Sequence, residues 1–461
     1  MMTAGAEIDE HQEVSLNPFF TRHFLYNFSN GVISPYISVY AVQLGASPTE
    51  MGWLRALMNL FSNIPQIPWG VVSDRLGRYA PAIIVGGIVS AILWLPLLLV
   101  ATPVQYIIVV SLQAFATSAV TPAWASLIGR VIPKSKRGLL TSYIDISAAL
   151  GSIGATLLSG YIMTIISGAL STMYTLPVIL SSITGIFSSL ILIRIREEKK
   201  QTLSRSWINW NLLTQNTNFK TLCYVSSIHS FFMSLSWPLF SITTVRIVHA
   251  SMMEIAYISI ISSVASIFVR RLIGRITDKA GRRQLLVLGR VSIFIYPTLY
   301  AVATNVSHLF FATLLGGIFG AVSEIVLFAY QLDVTSPEQR GASFATYNTI
   351  IGVATFFGSL AGGYLPTILT SNGIPELLSI QLTYAISALG RIGGGMLFMK
   401  LKEPSIYPSS VRTEITRVVS EDIERTRDQL KSIELRGEQV DDELQNDFDW
   451  IIGLTRKKEN R

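Results

Sequence analysis

The stretch Gly70-Val-Val-Ser-Asp74-Arg75-Leu-Gly77-Arg78 interrupts a long apolar run with three charges and two glycines. Alone, it reads as a polar surface turn or a weak phosphate-cradling loop. Its recurrence narrows the reading. The pattern returns as Gly274-Arg-Ile-Thr-Asp278-Lys279-Ala-Gly281-Arg282-Arg283, an offset of 204 residues. Pro133-Lys-Ser-Lys-Arg137-Gly138 is likewise echoed by Pro337-Glu-Gln-Arg340-Gly341, and Gly160-Tyr161 by Gly363-Tyr364. Three matches at nearly one offset mark two similar halves.

The surroundings of the motif are apolar. Of 461 residues, 50% are hydrophobic and 14% charged, with mean hydropathy +0.46. Soluble domains carry about 25% charged residues, whereas runs long enough to cross a hydrocarbon core about 30 Å thick recur along this chain. The pattern predicts an all-α polytopic membrane protein with twelve spans. Six lie near 19–42, 50–72, 80–101, 104–128, 138–166 and 171–195. Six more lie near 219–247, 252–275, 285–304, 307–330, 341–369 and 377–400. Ser47-Pro-Thr-Glu50, Ser251-Met-Met-Glu254 and Ser336-Pro-Glu-Gln339 read as capping boxes at helix starts. The polar, acidic first residues predict no cleavable signal peptide.

One set of loops is rich in lysine and arginine, including Arg75, Arg78, Arg130, Lys134, Arg137, Lys199, Arg282 and Arg283. The alternate loops hold almost none, Arg246 being the nearest exception. The positive-inside rule makes the rich set cytoplasmic and places both termini in the cytoplasm, in a multi-pass protein of the cell membrane. Net charge is +7, and residues from Glu403 onward contribute −4, leaving +11 on the rest. That excess follows the membrane sides and does not form a nucleic-acid stripe.

The expected organisation is a cytoplasmic tail 1–18, a six-helix bundle 19–195, a linker 196–218, a second bundle 219–402 and a charged tail 403–461. In the last tail, Ile415, Val419, Ile423, Thr426, Leu430 and Ile433 fall near helical spacing among many charges. That predicts an amphipathic helix against the inner face of the membrane domain, or an element for association. The protein is otherwise expected to be a monomer in the lipid bilayer.

With G-x-x-x-D-[RK]-x-G-R duplicated after the second and eighth spans, the chain resembles the major facilitator superfamily (MFS) of secondary transporters over residues 15–402. The resemblance implies two bundles rocking about a midplane site. It also implies a cytoplasmic latch made of Gly70, Asp74, Arg75, Gly77, Arg78, Gly274, Asp278, Lys279, Gly281 and Arg282, with Asp333 serving Arg282. Asp74 is then expected near Gly341–Phe344 and Asp278 near Gly138–Ser142. An aspartate there faces a helix N-terminus, whose dipole favours negative charge. The offset from Asp333 lands on Gly129, so the first half lacks the matching acid.

Only Asp145 and Glu324 are acids clearly within spans. A charge in hydrocarbon is costly and marks a functional candidate, for coupling or substrate contact. Either one could instead pair with a nearby arginine or face a water-filled vestibule. Arg55, His229 and Trp237 are further cavity candidates. Arg270, Arg271 and Arg290 read as snorkelling to the inner face, and Arg391 as a packing or lipid residue. Pro65, Pro68 and Pro238 are candidate hinges, since proline removes a helical hydrogen bond. Gly358-Ser-Leu-Ala-Gly362-Gly363 is similar to the family's G-P-x-x-G-G antiporter motif, with serine for proline, which weakens an antiporter assignment.

No P-loop, HExxH or nucleophile elbow occurs, and the single cysteine, Cys223, excludes thiolate metal clusters. The expectation is therefore no enzyme, no cofactor and no metal. The protein is read as a proton-coupled secondary transporter of a small organic solute, with efflux of amphipathic compounds foremost. Uptake of a sugar or organic anion, or a transporter-like sensor signalling through the tail, are the alternatives.

Overall fold

The computed structural model describes residues 17–132, 137–166, 170–194, 197, 212–277, 281–336 and 339–403, and then 417, 418, 420, 421, 424 and 427. Among these residues the structure is helical, without strands.

The first half holds six rods. These are α1 (Asn17–Ile33, Ser34–Tyr36, Ile37–Gln43), α2 (Pro48–Asn63, Gln66–Leu76) and α3 (Ala80–Ile92, Leu95–Leu99). They continue with α4 (Pro103–Thr117, Val120–Val131), α5 (Arg137–Ile165) and α6 (Leu170–Leu190, Ile191–Arg194). The second half repeats the arrangement, beginning with α7 (Thr217–Leu235, Trp237–Ile242, Thr243–Ile247), α8 (Met252–Thr277) and α9 (Arg282–Ser292, Ile295–Ala301). It ends with α10 (Val306–Val334), α11 (Arg340–Ser371) and α12 (Glu376–Met396, Leu397–Lys400).

Local chemistry sets the starts and breaks. Ser47 and Glu50 form a reciprocal capping box, and Ser251 and Glu254 exchange the same pair of hydrogen bonds. The third expected box includes Pro337 and Glu338, outside the described residues. Pro65 separates the two stretches of α2 and Pro68 lies in the first turn of the second. In α7 the helix breaks at Ser236, Pro238 opens the next stretch, and a π-helical turn Thr243–Ile247 follows. Pro366, by contrast, sits inside an uninterrupted α11.

Among the described residues, nine helices are long and apolar enough to cross a membrane, and they belong to α3–α6 and α8–α12. Large apolar side chains such as Leu99, Phe268 and Leu389 stand exposed on them. Water would penalise such a belt heavily, whereas acyl chains would not. Rods α1, α2 and α7 pack along these helices: α1 on α5 and α6, α2 on α4 and α11, α7 on α11 and α12.

The apolar core is not divided evenly between the halves. At the end away from the basic loops, one continuous cluster joins Val32, Tyr36, Met51 and Leu54 of the first half to Leu239, Ile242, Ala256 and Tyr384 of the second. At the basic end there are two separate clusters. One lies wholly within the first half, around Tyr79, Leu127 and Leu192, and the other within the second, around Leu285, Tyr330 and Phe398. The halves are fused at the far end and parted at the basic end.

Small residues permit the fusion. A Cβ on Gly363 would lie 2.6 Å from Pro48 O and 2.7 Å from Gly52 Cα. A Cβ on Gly160 of α5 would lie 2.9 Å from Ala256 Cβ of α8. Hydrogen bonds cross the same surface: Thr49 to Thr367 at 2.9 Å, Trp53 Nε1 to Tyr364 Oη at 3.2 Å, and Tyr36 Oη to Met252 O at 3.4 Å. Arg246 donates to Ala46 O at 2.7 Å, which gives this isolated far-end arginine a role in joining the halves. Gly358 and Gly362 lie flush against the α7 backbone at Phe231 and Leu235, so the glycine-rich stretch of α11 is a packing face.

Replacing Gly363 by Leu is expected to wedge α2 from α11 at the far end. Overpacking costs about 1–3 kcal/mol, enough to reweight an open–closed equilibrium several-fold. Maleimide labelling of a cysteine at Trp53, in a Cys223→Ser background, should rise. Unchanged labelling would show that this contact does not hold the far end shut.

Candidate functional site

The duplicated motif closes α2 and turns the chain into α3. Gly77 ends α2 with φ 68°, the left-handed region that only glycine enters without strain, and its N–H returns to Asp74 O. Asp74 Oδ1 accepts from Tyr79 Oη at 2.9 Å. Glu197, beyond α6, accepts the first N–H groups of α3 at Oε2, from Tyr79 at 2.7 Å and Ala80 at 2.9 Å. Its Oε1 meets Arg130 Nη1 of α4 at 2.9 Å, and Arg130 stacks over the Tyr79 ring at 4.4 Å. Glu197 thus ties the chain after the sixth helix to the start of α3 and to α4. Arg75 and Arg78 are exposed beside this cluster.

The second half repeats the capping. Glu403, just after α12, accepts from Arg282 N at 2.9 Å and Arg283 N at 3.1 Å at the start of α9, next to Gly281. Arg282 Nη1 lies 2.6 Å from Asp333 Oδ2 at the end of α10. Gly274 falls in the last turns of α8, and Asp278 and Lys279 lie outside the described residues. Each bundle therefore ties its sixth helix, through one carboxylate, to the N-terminus of its third, where the dipole favours an anion.

Between the bundles at the basic end is a cavity of about 220 Å³, with Asn63, Gln66 and Asp74 of α2 on one wall and Gly341, Ala345 and Asn348 of α11 on the other. Asp74 and the start of α11 line the same opening, yet the hydrogen bond that Asp74 makes goes to Tyr79 in its own half. The outer stretch of α2 packs along α11, whereas the inner stretch, Gln66–Leu76, packs mainly on α4.

Deeper in the second half, α7–α12 enclose a cavity of about 390 Å³. Trp237, Phe240 and Tyr296 form an aromatic wall, and Glu324, Arg290 and Arg391 face the same space. Phe240 and Tyr296 meet edge to face with centroids 4.7 Å apart. Glu324 Oε2 is bonded to Arg270 Nη2 at 2.8 Å, and Asp145, exposed on α5, lies within electrostatic reach of the same arginine. His229 is buried behind the cavity wall. Its Nε2 lies 3.0 Å from Arg290 O and its Nδ1 3.5 Å from Arg290 Nη1. A carbonyl must accept and a guanidinium must donate, so these contacts select the neutral tautomer with the proton on Nε2. Arg55 stands half-buried on α2, and neither it nor Asp145 lines this cavity.

One reading is corrected here. Arg290 does not snorkel: it is 6% exposed and turned inward. Of the two roles read for Arg391, packing is the one the structure shows, and the residue does not face lipid. It is 2% exposed and donates to Ile293 O at 3.0 Å, Met233 O at 2.7 Å and Ser236 Oγ at 2.6 Å. Sequence reasoning also missed Arg22, fully buried between the rings of Tyr26 and Trp124 at 4.5 and 4.1 Å. Glu197 and Glu403 were missed as well, although both follow the last helix of a half at nearly the repeat spacing.

The comparisons with known proteins agree with this architecture. A family model described as the Major Facilitator Superfamily matches twice, over residues 19–228 and 222–435. An uncharacterised MFS-type transporter of Methanocaldococcus jannaschii is 22% identical over 77% of this chain and 91% of its own. The staphyloferrin B transporter of Staphylococcus aureus is 23% identical over 70% of this chain and 77% of its own. Among solved structures, a mutant of the nucleoside transporter NupG superposes with a TM-score of 0.68 at 14% identity, covering 84% of this chain and 99% of that one. A bacterial homologue of the human lysosomal transporter Spinster superposes with a TM-score of 0.64 at 14% identity, covering 86% of this chain and 98% of that one. Matched across both halves, the chain belongs to the Major Facilitator Superfamily and is a multi-pass membrane transporter.

Glu197→Gln is expected to lower the apparent unfolding temperature in detergent. The side chain is 5% exposed, and hydrogen bonds to a charged group contribute about 1.5–3 kcal/mol. Arg130→Gln should cost less, because its side chain is 22% exposed. Equal unfolding curves for wild type and Glu197→Gln would remove the carboxylate from this role.

Proposed function

We propose that this protein is a secondary active transporter of a small organic solute, working by alternating access and coupled to protons. The observation that carries the reading is the asymmetric core, fused at the far end and split at the basic end. A carrier caught on one side of its cycle requires such an asymmetry. With the basic end cytoplasmic by the positive-inside rule, this state faces inward and both termini are cytoplasmic. The Spinster homologue with TM-score 0.64 is likewise in an inward-facing conformation. Rods α1, α2 and α7 complete twelve spans, because they pack lengthwise on crossing helices.

The latch residues belong to the opposite state. When the basic end closes, Asp74 exchanges Tyr79 for the N-terminus of α11 around Gly341, with Arg75 and Arg78 beside it. Gly274, Asp278, Lys279, Gly281 and Arg282 act likewise toward α5, and Asp333 holds Arg282. Breaks at Pro65, Pro68 and Pro238 let the inner stretches move. Asp145 and Glu324 share Arg270, so protonating one frees the arginine for the other; this is the coupling step. Arg55, His229 and Trp237 serve the solute path, His229 by positioning Arg290. The aromatic wall supports an amphipathic solute.

Spin labels at Gln66 and Asn348, and separately at Trp53 and Tyr364, test the cycle by distance measurement in liposomes. Both pairs should show two populations. Gly363→Leu should shorten the first distance and lengthen the second. Asp74→Asn should deplete the basic-end-closed population about two- to five-fold, the scale of a charge at a helix N-terminus. Both ends open together would indicate a channel, and immobile ends would indicate a sensor.

Coupling has its own measurement. Asp145→Asn and Glu324→Gln should each abolish uphill solute accumulation driven by a proton gradient while sparing counterflow. Intact uphill accumulation in both variants would overturn the coupling assignment.

A further inference from the structure

The buried charges around the second-half cavity do not balance. Arg290 and Arg391 both face it; Glu324, the carboxylate in its lining, is mostly exposed and bonded to Arg270 at 2.8 Å, and reaches Arg290 electrostatically without pairing with it. Among the described residues no carboxylate pairs with Arg290 or Arg391. The two guanidiniums are not equally satisfied. Arg391 spreads its charge over two carbonyls and a hydroxyl, tying α12 to α7 and α9. Both arginines leave a buried Nε without a hydrogen-bond partner, but the terminal nitrogens of Arg290 have only one long contact, to His229 Nδ1 at 3.5 Å, and its guanidinium sits 5.5 Å from the Phe398 ring centre. A buried ionised group left so poorly compensated costs several kcal/mol, and a counter-ion would recover much of that cost.

We propose that the counter-ion is the transported solute: a small organic anion whose carboxylate or similar oxyanion pairs with Arg290. Its planar or apolar body lies against Trp237, Phe240 and Tyr296. The inference rests on the transporter reading and names the solute class for it. Arg391 supplies positive potential and fixes the helices, and His229 orients Arg290 through its backbone carbonyl and side chain. A guanidinium suits the task because its planar fork matches two oxyanion oxygens. A cavity of about 390 Å³ admits an anion of one or two rings.

The test uses the purified full-length protein and three probes of one shape: 2-naphthoate, neutral 2-naphthamide and cationic 2-naphthylmethylamine. Binding is read by tryptophan fluorescence and thermal shift. Naphthoate should bind at least about ten-fold more tightly than the amide, equivalent to about 1.4 kcal/mol, and the amine should not bind. Arg290→Gln should abolish the preference for naphthoate while sparing weak amide binding, and Arg290→Lys should restore part of it. Trp237→Ala should weaken naphthoate and amide alike, and keeps the inference testable if Arg290→Gln does not fold. Equal affinity for amide and naphthoate, tighter binding of the amine, or an unchanged preference in Arg290→Gln would overturn the proposal. Naphthoate binding without movement of the spin-labelled ends would leave the anion site standing and defeat the transporter reading instead.

Discussion

The structure depends on one constraint: backbone must meet backbone at the far end of the molecule. Gly52 against Gly363, and Gly160 against Ala256, bring α2 to α11 and α5 to α8 too closely for any larger side chain. That approach fuses the apolar cores of the halves at one end. With the halves joined there, the basic end is parted, and an opening lies between Gln66 and Asn348. In the proposed cycle this interface is the bistable joint, since packed surfaces interconvert between discrete arrangements.

At the basic end the two bundles are braced independently. Glu197 and Glu403 each tie the last helix of a half to the start of its third. These carboxylates offset helix dipoles within their own bundle, so they can persist whether the halves are together or apart. Asp74 differs, since it stands at the opening and is held by a single neutral hydroxyl. Independently braced bundles, with motif residues at the opening free to exchange partners, are what the proposed rocking mechanism needs.

Much of the fold is legible in the sequence because its signals are local. Duplicated loops, apolar run lengths and loop charge specify two similar halves of membrane helices without reference to packing. The need for Gly77 is also local, since a left-handed turn after Asp74 admits glycine most readily. The site was less legible. Arg290 and Arg391 looked peripheral because a helix position does not state which face it turns inward. Pairing of Glu324 with an arginine was one of the readings open in the sequence, but its partner, Arg270, lies on another helix 54 residues away and could not be named from spacing. The first half carries Gly129 where the repeat offset would place a counterpart of Asp333, and its Glu197 corresponds to Glu403 as the cap of a third helix. The tail helix remains outside the described residues apart from short pieces, of which Val418 is buried against the second-half core.

The sequence by itself determined that this chain is a duplicated, helical membrane protein, because hydropathy and charge act through the residues that carry them. Only the tertiary structure decided which charges face one another, which end is shut and where an unpaired guanidinium is buried. Those properties arise from the rotation and separation of helices. They depend on distances between residues far apart in the chain, and no short stretch, including Gly70 to Arg78, contains them.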